Sequence, residues 1–362
     1  MNFEDTDFRY EFLDTENPYD VDYVKGFLAK NGYDYEAEDV DGTLIIYNLN
    51  DELIGTGSYK NQTLKYVVVS PKFRETTAFP LIVSYLSDKI LAQHTRCFVF
   101  TRPETAVLFK GIGFKQIAEA KPLFAVLEFG FESIMDYQKD LRNHRVETKT
   151  ENIAAIVVNC NPFTNGHKYL IEKAASESEI LYLFVVEEDF SVFPYKIRRE
   201  MIEKGIEHLN NVVMIETGPY IVSGGIFPNY FLKLETWNII SEKQAEVDVQ
   251  IFANYIVPTL GITKRYVGTE HYCRTTRAYN EAMKKILPSA GCELIEVSRK
   301  TIGINQSDQK NCISASKIRL AMKENRFDEI LHLLPDSTKD FLKSPESDFI
   351  WKKLMKNQQH TS

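Results

Sequence analysis

The feature that most constrains the fold is an unbroken apolar run, Ile153 to Val158, that stops at Asn159-Cys160-Asn161-Pro162 and gives way at Lys168 to helical spacing. Such a run, with no polar alternation, reads as a strand covered on both faces, which belongs inside a parallel sheet. Thr164-Asn165-Gly166-His167 lie between strand and helix. A strand, a tight turn and a helix start bring backbone N–H groups and the positive end of the helix dipole against an anion. Gly166 lets the main chain approach a ligand closely. His167 adds a donor that can become cationic where charge grows on a phosphoryl oxygen. Neither the dinucleotide fingerprint nor the Walker-type loop is present. A lone histidine at a helix start more often meets a carbonyl than a substrate, so a second signal is needed.

That signal lies roughly 150 residues downstream, at Ile313-Ser314-Ala315-Ser316-Lys317-Ile318-Arg319. It implies another helix start: Ser314 or Ser316 can cap it, its N–H groups face an anion, and Arg319 follows Ser316 by three residues on the same face. The two motifs, in this order, resemble the (His/Thr)-x-Gly-His and Ile-Ser-Ser-Thr-x-x-Arg signatures of the nucleotidylyltransferase superfamily, with alanine at one serine position. Asn159-Cys160-Asn161-Pro162-Phe163-Thr164-x-Gly166-His167, the acidic run Glu187-Glu188-Asp189 after Val185-Val186, Gly218-Pro219-Tyr220-Ile221, Phe227-Pro228-x-Tyr230-Phe231-Leu232-Lys233 and Tyr266-Val267-Gly268-x-Glu270 narrow the likeness. Together they resemble the [citrate (pro-3S)-lyase] ligase family over nearly the whole chain.

The resemblance implies an AMP-forming acid–thiol ligase. Its reactants would be ATP, acetate and the thiol prosthetic group of the citrate lyase acyl carrier subunit, with Mg2+ as cofactor. His167, Thr164 and Arg319 would be catalytic. Asn161, Phe163, Gly166, Gly268, Glu270, Ser314, Ser316 and Lys317 would bind ATP. Arg198 would contact nucleotide or substrate. Glu187 and Asp189 follow a strand end where a carboxylate could hold Mg2+, although a solvated acidic loop fits the same residues. Cys160 invites a covalent-thiol reading, but no activating base other than His167 is near, so it reads as a small core residue. Lys196, Arg198, Arg199, Arg299 and Lys300 form the expected basic docking surface for the carrier.

A length of 362 residues suggests about two domains. The net charge of −8 disfavours a nucleic-acid binder. No stretch approaches the roughly 18 apolar residues of a membrane span, and the acidic start lacks the order of a secretion signal. Five scattered cysteines without Cys-x-x-Cys pairing argue for reduced thiols in a cytoplasm and against structural zinc.

The expected fold class is α/β, with two domains of different build. Residues 1–135 alternate as an α+β domain resembling the GNAT acetyltransferase fold: a helix near Val21 to Lys30, strands at 43–48, 53–58 and 64–70, a helix near 77–92, and strands at 96–100 and 123–129. The family's pyrophosphate turn would fall at Arg74-Glu75-Thr76-Thr77-Ala78-Phe79. Its small positions hold Thr77 and Phe79, whose side chains obstruct backbone approach, so the domain reads as degenerate. Residues 136–151 are charged and read as a linker. Residues 152–325 alternate strand and helix, implying a doubly wound parallel sheet with ligands at strand C-terminal ends. Residues 326–362 read as a helical tail. Two other functions stay open: an adenylyltransferase acting on a phosphorylated small molecule such as phosphopantetheine, and an acyl-CoA-dependent acetyltransferase or sensor working through the first domain.

Overall fold

The computed structural model describes residues 8–14, 16–187, 191–221, 230–232, 235–269, 274–298 and 313–356. The chain divides into two compact units: Met1–Asp136 with Ile226–Gln250, and Tyr137–Gly225 with Ile251–Ser362.

The first unit is built on seven strands: β1 (Phe8–Phe12), β2 (Gly42–Asn48), β3 (Leu53–Lys60), β4 (Thr63–Val69), β5 (Arg96–Thr101), β6 (Lys115–Ala120) and β7 (Phe124–Gly130), in the order β1-β2-β3-β4-β5-β7-β6. Neighbours run antiparallel except β4 and β5, which pair in parallel only at Thr63↔Phe98 and Leu64↔Val99. This is the expected acetyltransferase-type sheet, with β1 and β6 added to the strands legible in the sequence. Helix Ala78–Leu91 lies close on β3 because Gly57 has no side chain; a Cβ there would come within 2.5 Å of Ile82. At the turn Arg74–Phe79, which the sequence reading takes as degenerate, Thr76 Oγ1 accepts the Ala78 N–H at 3.3 Å, engaging one of the amides that an anion would need. Phe79 is packed edge-on against Phe109.

Residues 230–250 were expected within the second domain and instead belong to the first unit. Their aromatic start explains this: the Tyr230 ring lies 4.3 Å from that of Tyr66 and Phe231 lies 5.6 Å from Phe124. Helix Trp237–Ile251 follows.

The second unit carries five parallel strands: β8 (Ile153–Val158), β9 (Ile180–Val185), β10 (Val212–Glu216), β11 (Lys264–Gly268) and β12 (Glu293–Val297), in the order β10-β9-β8-β11-β12. β8 is central and buried along nearly its whole length, as its uninterrupted apolar run requires. Winding runs outward from β8 to β10 in one direction and from β11 to β12 in the other. The order therefore reverses between β8 and β11, the place where doubly wound sheets hold ligands.

Two segments differ from the sequence reading. The charged stretch taken as a linker begins within helix Ile134–Asn143. Residues taken as a helical tail do form helices, Phe327–Ile330, Asp336–Lys343 and Asp348–Lys356, but Leu342, Ile350 and Leu354 on them, and Leu333 and Leu334 between the first two, share one buried core with Ile156, Phe163 and Phe193. Helix Asp336–Lys343 packs on helix Tyr195–Gly205, and helix Asp348–Lys356 packs on helix Ala315–Lys323, which makes them part of the unit's core. Among the described residues, no helix is long and apolar enough to cross a membrane.

Candidate functional site

β8 and β11 pair at Lys264↔Ala154 and Arg265↔Ala155 only, so they part toward their C-terminal ends. The first motif leaves β8 at this opening. Asn159 follows the strand, Cys160 takes a left-handed conformation (φ 52°), and the Asn161–Pro162 bond is cis. Thr164 then caps helix Asn165–Ser176 with extended backbone, its Oγ1 accepting the His167 N–H at 3.3 Å.

His167 stands at the third helical position, where capping boxes carry glutamate or glutamine. Its Nδ1 accepts the Thr164 N–H at 3.2 Å, with Thr164 Oγ1 3.0 Å from the same nitrogen. A backbone amide can only donate, so Nδ1 is the acceptor and the proton of the neutral ring sits on Nε2. Two first-turn amides are engaged by this box. Those of Asn165 and Gly166 have no acceptor among the described residues. A Cβ on Gly166 would meet Thr164 Oγ1 at 3.5 Å and Ile313 Cβ at 3.6 Å, ordinary contacts, so the glycine is not demanded by the fold itself.

The second motif closes on the first. Ile313 touches the Gly166 position, and the Arg319 Nη1 donates to the Asn161 carbonyl. Burial pushes the Arg319 guanidinium down from its ordinary value. Helix Ala315–Lys323 begins at Ser314, which does not cap it through its side chain as expected; Ser314 Oγ and Ser316 Oγ lie 2.7 Å apart instead. Ser316 and Lys317 are exposed. On the other side of the opening, Gly268 ends β11, and a Cβ on it would meet nothing within 4 Å. Asn280 holds the Gly268 carbonyl at 3.3 Å.

Other expected contacts are supports. Phe163 is 0% exposed, so its side chain lines no ligand surface; its ring stacks on that of His167 at 6.4 Å and presses on Gly205. Asn161 Oδ1 accepts the Phe193 N–H at 3.1 Å, and Asn159 Oδ1 accepts from Ser191 Oγ at 3.2 Å, joining the two loops at the strand ends. Arg198 is 0% exposed and donates from Nε to the Phe193 carbonyl at 2.9 Å and from Nη1 to the Asn159 carbonyl at 2.7 Å. It holds these loops together, where a contact to nucleotide or substrate was expected. Cys160 is buried beside it, and burial raises its thiol well above the ordinary range.

Of the expected acidic residues, Glu187 lies two residues past the end of β9 and donates its N–H to Thr217 Oγ1 at 3.1 Å, while Glu188, Asp189 and Glu270 lie outside the described residues. Among the described residues no cluster of three or more His, Cys, Asp or Glu could hold a metal. Of the expected basic docking surface, Arg198 is buried, and Arg199, half-buried, pairs with Glu203 at 2.8 Å and Glu216 at 2.6 Å. Lys196 is exposed; Arg299 and Lys300 lie outside the described residues. The sequence reading missed Thr217, Gly205 and Thr338, single residues in no motif that the topology brings under these loops.

Residues 153–342 match the family model described as Citrate lyase ligase C-terminal domain. A [Citrate [pro-3S]-lyase] ligase of Klebsiella pneumoniae is 34% identical, covering 88% of this chain and 91% of its own length. That of Haemophilus influenzae is 33% identical, covering 92% and 98%. Among solved structures, a bifunctional NMN adenylyltransferase/ADP ribose pyrophosphatase from Francisella tularensis shares 13% identity over 58% of this chain and 53% of that one, with a TM-score of 0.33.

Proposed function

Because this chain belongs to the [citrate [pro-3S]-lyase] ligase family of enzymes, we propose that it activates citrate lyase by ATP-dependent acetylation of the thiol prosthetic group on the lyase's acyl carrier subunit. The observation that carries the nucleotide part of this reading is the meeting of the two motifs at the sheet's reversal point, with Arg319 on the Asn161 carbonyl and Ile313 on Gly166. It sets two helix N-termini, each able to attract phosphate, at one opening.

In the first half-reaction a carboxylate oxygen of acetate attacks the α-phosphorus of ATP. The bond from that phosphorus to the bridging oxygen breaks, and pyrophosphate leaves with the electron pair. In the second half-reaction the carrier's thiolate attacks the acyl carbon of acetyl-adenylate, the carbon–oxygen bond breaks and AMP leaves; the thiol proton passes to solvent. The protein's task in the first step is alignment and charge neutralisation. The N–H groups of Asn165 and Gly166 and the Nε2–H of His167 serve the α and β phosphates. Ser314, Ser316, Lys317 and the Arg319 charge serve β and γ. Mg2+ would add to the neutralisation of phosphate charge, and of the acidic residues expected to hold it Glu187 is the described one, two residues past β9.

The test is acetate-dependent exchange of labelled pyrophosphate into ATP. His167→Ala should lower it 100-fold or more, the order expected for losing one charge-stabilising donor. Exchange that ignores acetate, or survives this change, would refute the adenylate step.

A further inference from the structure

We infer that Thr338, on a helix outside both motifs, is a positioning residue that holds His167 in its working tautomer by way of Phe163. The Phe163 carbonyl stands one residue before the helix ladder begins, since the first helical bond runs from Lys168 N–H to the Thr164 carbonyl. It needs a donor from elsewhere, because a buried carbonyl left unmatched is costly. Thr338, 0% exposed, supplies the donor from Oγ1 at 2.9 Å.

That carbonyl belongs to the peptide whose N–H is the Thr164 amide, the group that holds Nδ1 of His167. One rigid peptide plane therefore carries both bonds, with Thr338 at one end and the imidazole at the other. The Phe163 ring offers a second coupling, stacked on His167 with 14° between planes. The same group of helices supports both loops of the site. The His332 carbonyl accepts from Asn165 Nδ2 at 3.1 Å, and Lys353 Nζ donates to the Ser191 carbonyl at 2.9 Å. Without the Thr338 hydroxyl, the peptide plane is free to rock and Nδ1 loses its fixed donor.

The experiment compares Thr338→Val, which keeps the shape and removes the hydroxyl, with Thr338→Ser, which keeps the hydroxyl. The first readout is 15N spectroscopy of histidine-labelled enzyme, with the His167 nitrogens assigned from a His167→Asn sample. We expect a single tautomer, protonated at Nε2, in the wild type and in Thr338→Ser, and tautomer averaging in Thr338→Val. The second readout rests on the reaction proposed above: pyrophosphate exchange should fall about tenfold in kcat for Thr338→Val, with KM for acetate within twofold and Thr338→Ser near wild type. Unchanged His167 nitrogens in Thr338→Val overturn the inference, as does an equal loss of kcat in both variants. If the wild type shows no exchange but the nitrogens respond as stated, the reaction reading fails and the positioning role stands. Should Thr338→Val not fold, Thr338→Ala against Thr338→Ser makes the same comparison.

Discussion

Gly166→Ala separates what the fold requires from what a ligand requires. The added Cβ meets Thr164 Oγ1 at 3.5 Å and Ile313 at 3.6 Å and nothing closer, so the protein accommodates it without movement. Position 166 lies in the first turn of helix Asn165–Ser176, where alanine restricts the unfolded chain more than glycine does. That should stabilise by about 0.5 kcal/mol, raising the melting temperature by about 1–2 °C for a unit of this size. Pyrophosphate exchange should move the other way, falling at least tenfold, because the methyl group stands where a phosphate must approach the Gly166 amide. Gly205→Ala is the control of opposite character. There the Cβ would sit 2.4 Å from Phe163 Cε1, in a fully buried ring. Overpacking of about 1–3 kcal/mol should lower the melting temperature by several degrees. Thermal denaturation and exchange measured on the same preparations decide the matter. If Gly166→Ala keeps exchange within twofold of wild type, no ligand comes near that amide and the phosphate reading of this helix start is wrong.

Arg198→Met should lower stability by about 1–3 kcal/mol or somewhat more, because it leaves the buried carbonyl of Phe193 and the half-buried one of Asn159 without this donor; a variant that keeps its melting temperature but binds ATP or acetate tenfold more weakly would restore Arg198 as a ligand contact. Glu179 accepts from the Lys149 and Thr150 amides at 2.7 and 2.8 Å, and these bonds hold its carboxyl below the usual range. Its folded pKa is thus below the unfolded one, so its stabilisation is full at neutral pH and disappears as pH falls through the folded value. Urea titrations should therefore show Glu179→Gln less stable than wild type at pH 7, with the gap closing toward pH 3; a gap independent of pH would contradict this. Burial raises the Cys97 thiol to about 12 and that of Cys292 to about 11, and Cys160 is raised too. At pH 8 none of the three should react with iodoacetamide in the folded enzyme, as peptide mass spectrometry would show; labelling of Cys160 would mean that the loop opens.

The parts of the fold legible in the sequence are those whose burial leaves a one-dimensional trace. β8 shows as an apolar run because both its faces are covered. β1 is exposed at four of its five positions, so Phe8–Phe12 carries no alternation to read, and its existence depends on pairing with β2. Helix Ile134–Asn143 was obscured by its charges, yet Ile134, Tyr137, Gln138 and Leu141 are buried at positions i, i+3, i+4 and i+7. Charge on one face of a helix says nothing against the other. The assignment of residues 230–250 to the first unit was not readable, because an aromatic pair such as Tyr230-Phe231 fits any core and only the partners Tyr66 and Phe124 identify which one.

At the site, the motifs gave the groups with donors but not the groups that hold them. Thr164, Gly166, His167 and Arg319 fall where their spacing implies, and the chemistry that singles them out is local: a cap, a small residue, a ring nitrogen, a charge. Arg198 shows the limit of that logic. Its residue type suggests a phosphate contact, while its burial and its bonds to two carbonyls make it a brace between the loops after β8 and β9. Thr338 shows the converse. A threonine on a helix far along the chain has no signature, and its importance comes from a carbonyl that the first motif leaves without an intrahelical partner. That requirement was present in the sequence all along, since any helix start preceded by a buried residue leaves such a carbonyl. What the sequence could not supply was the residue that meets it, because 175 positions separate the two along the chain.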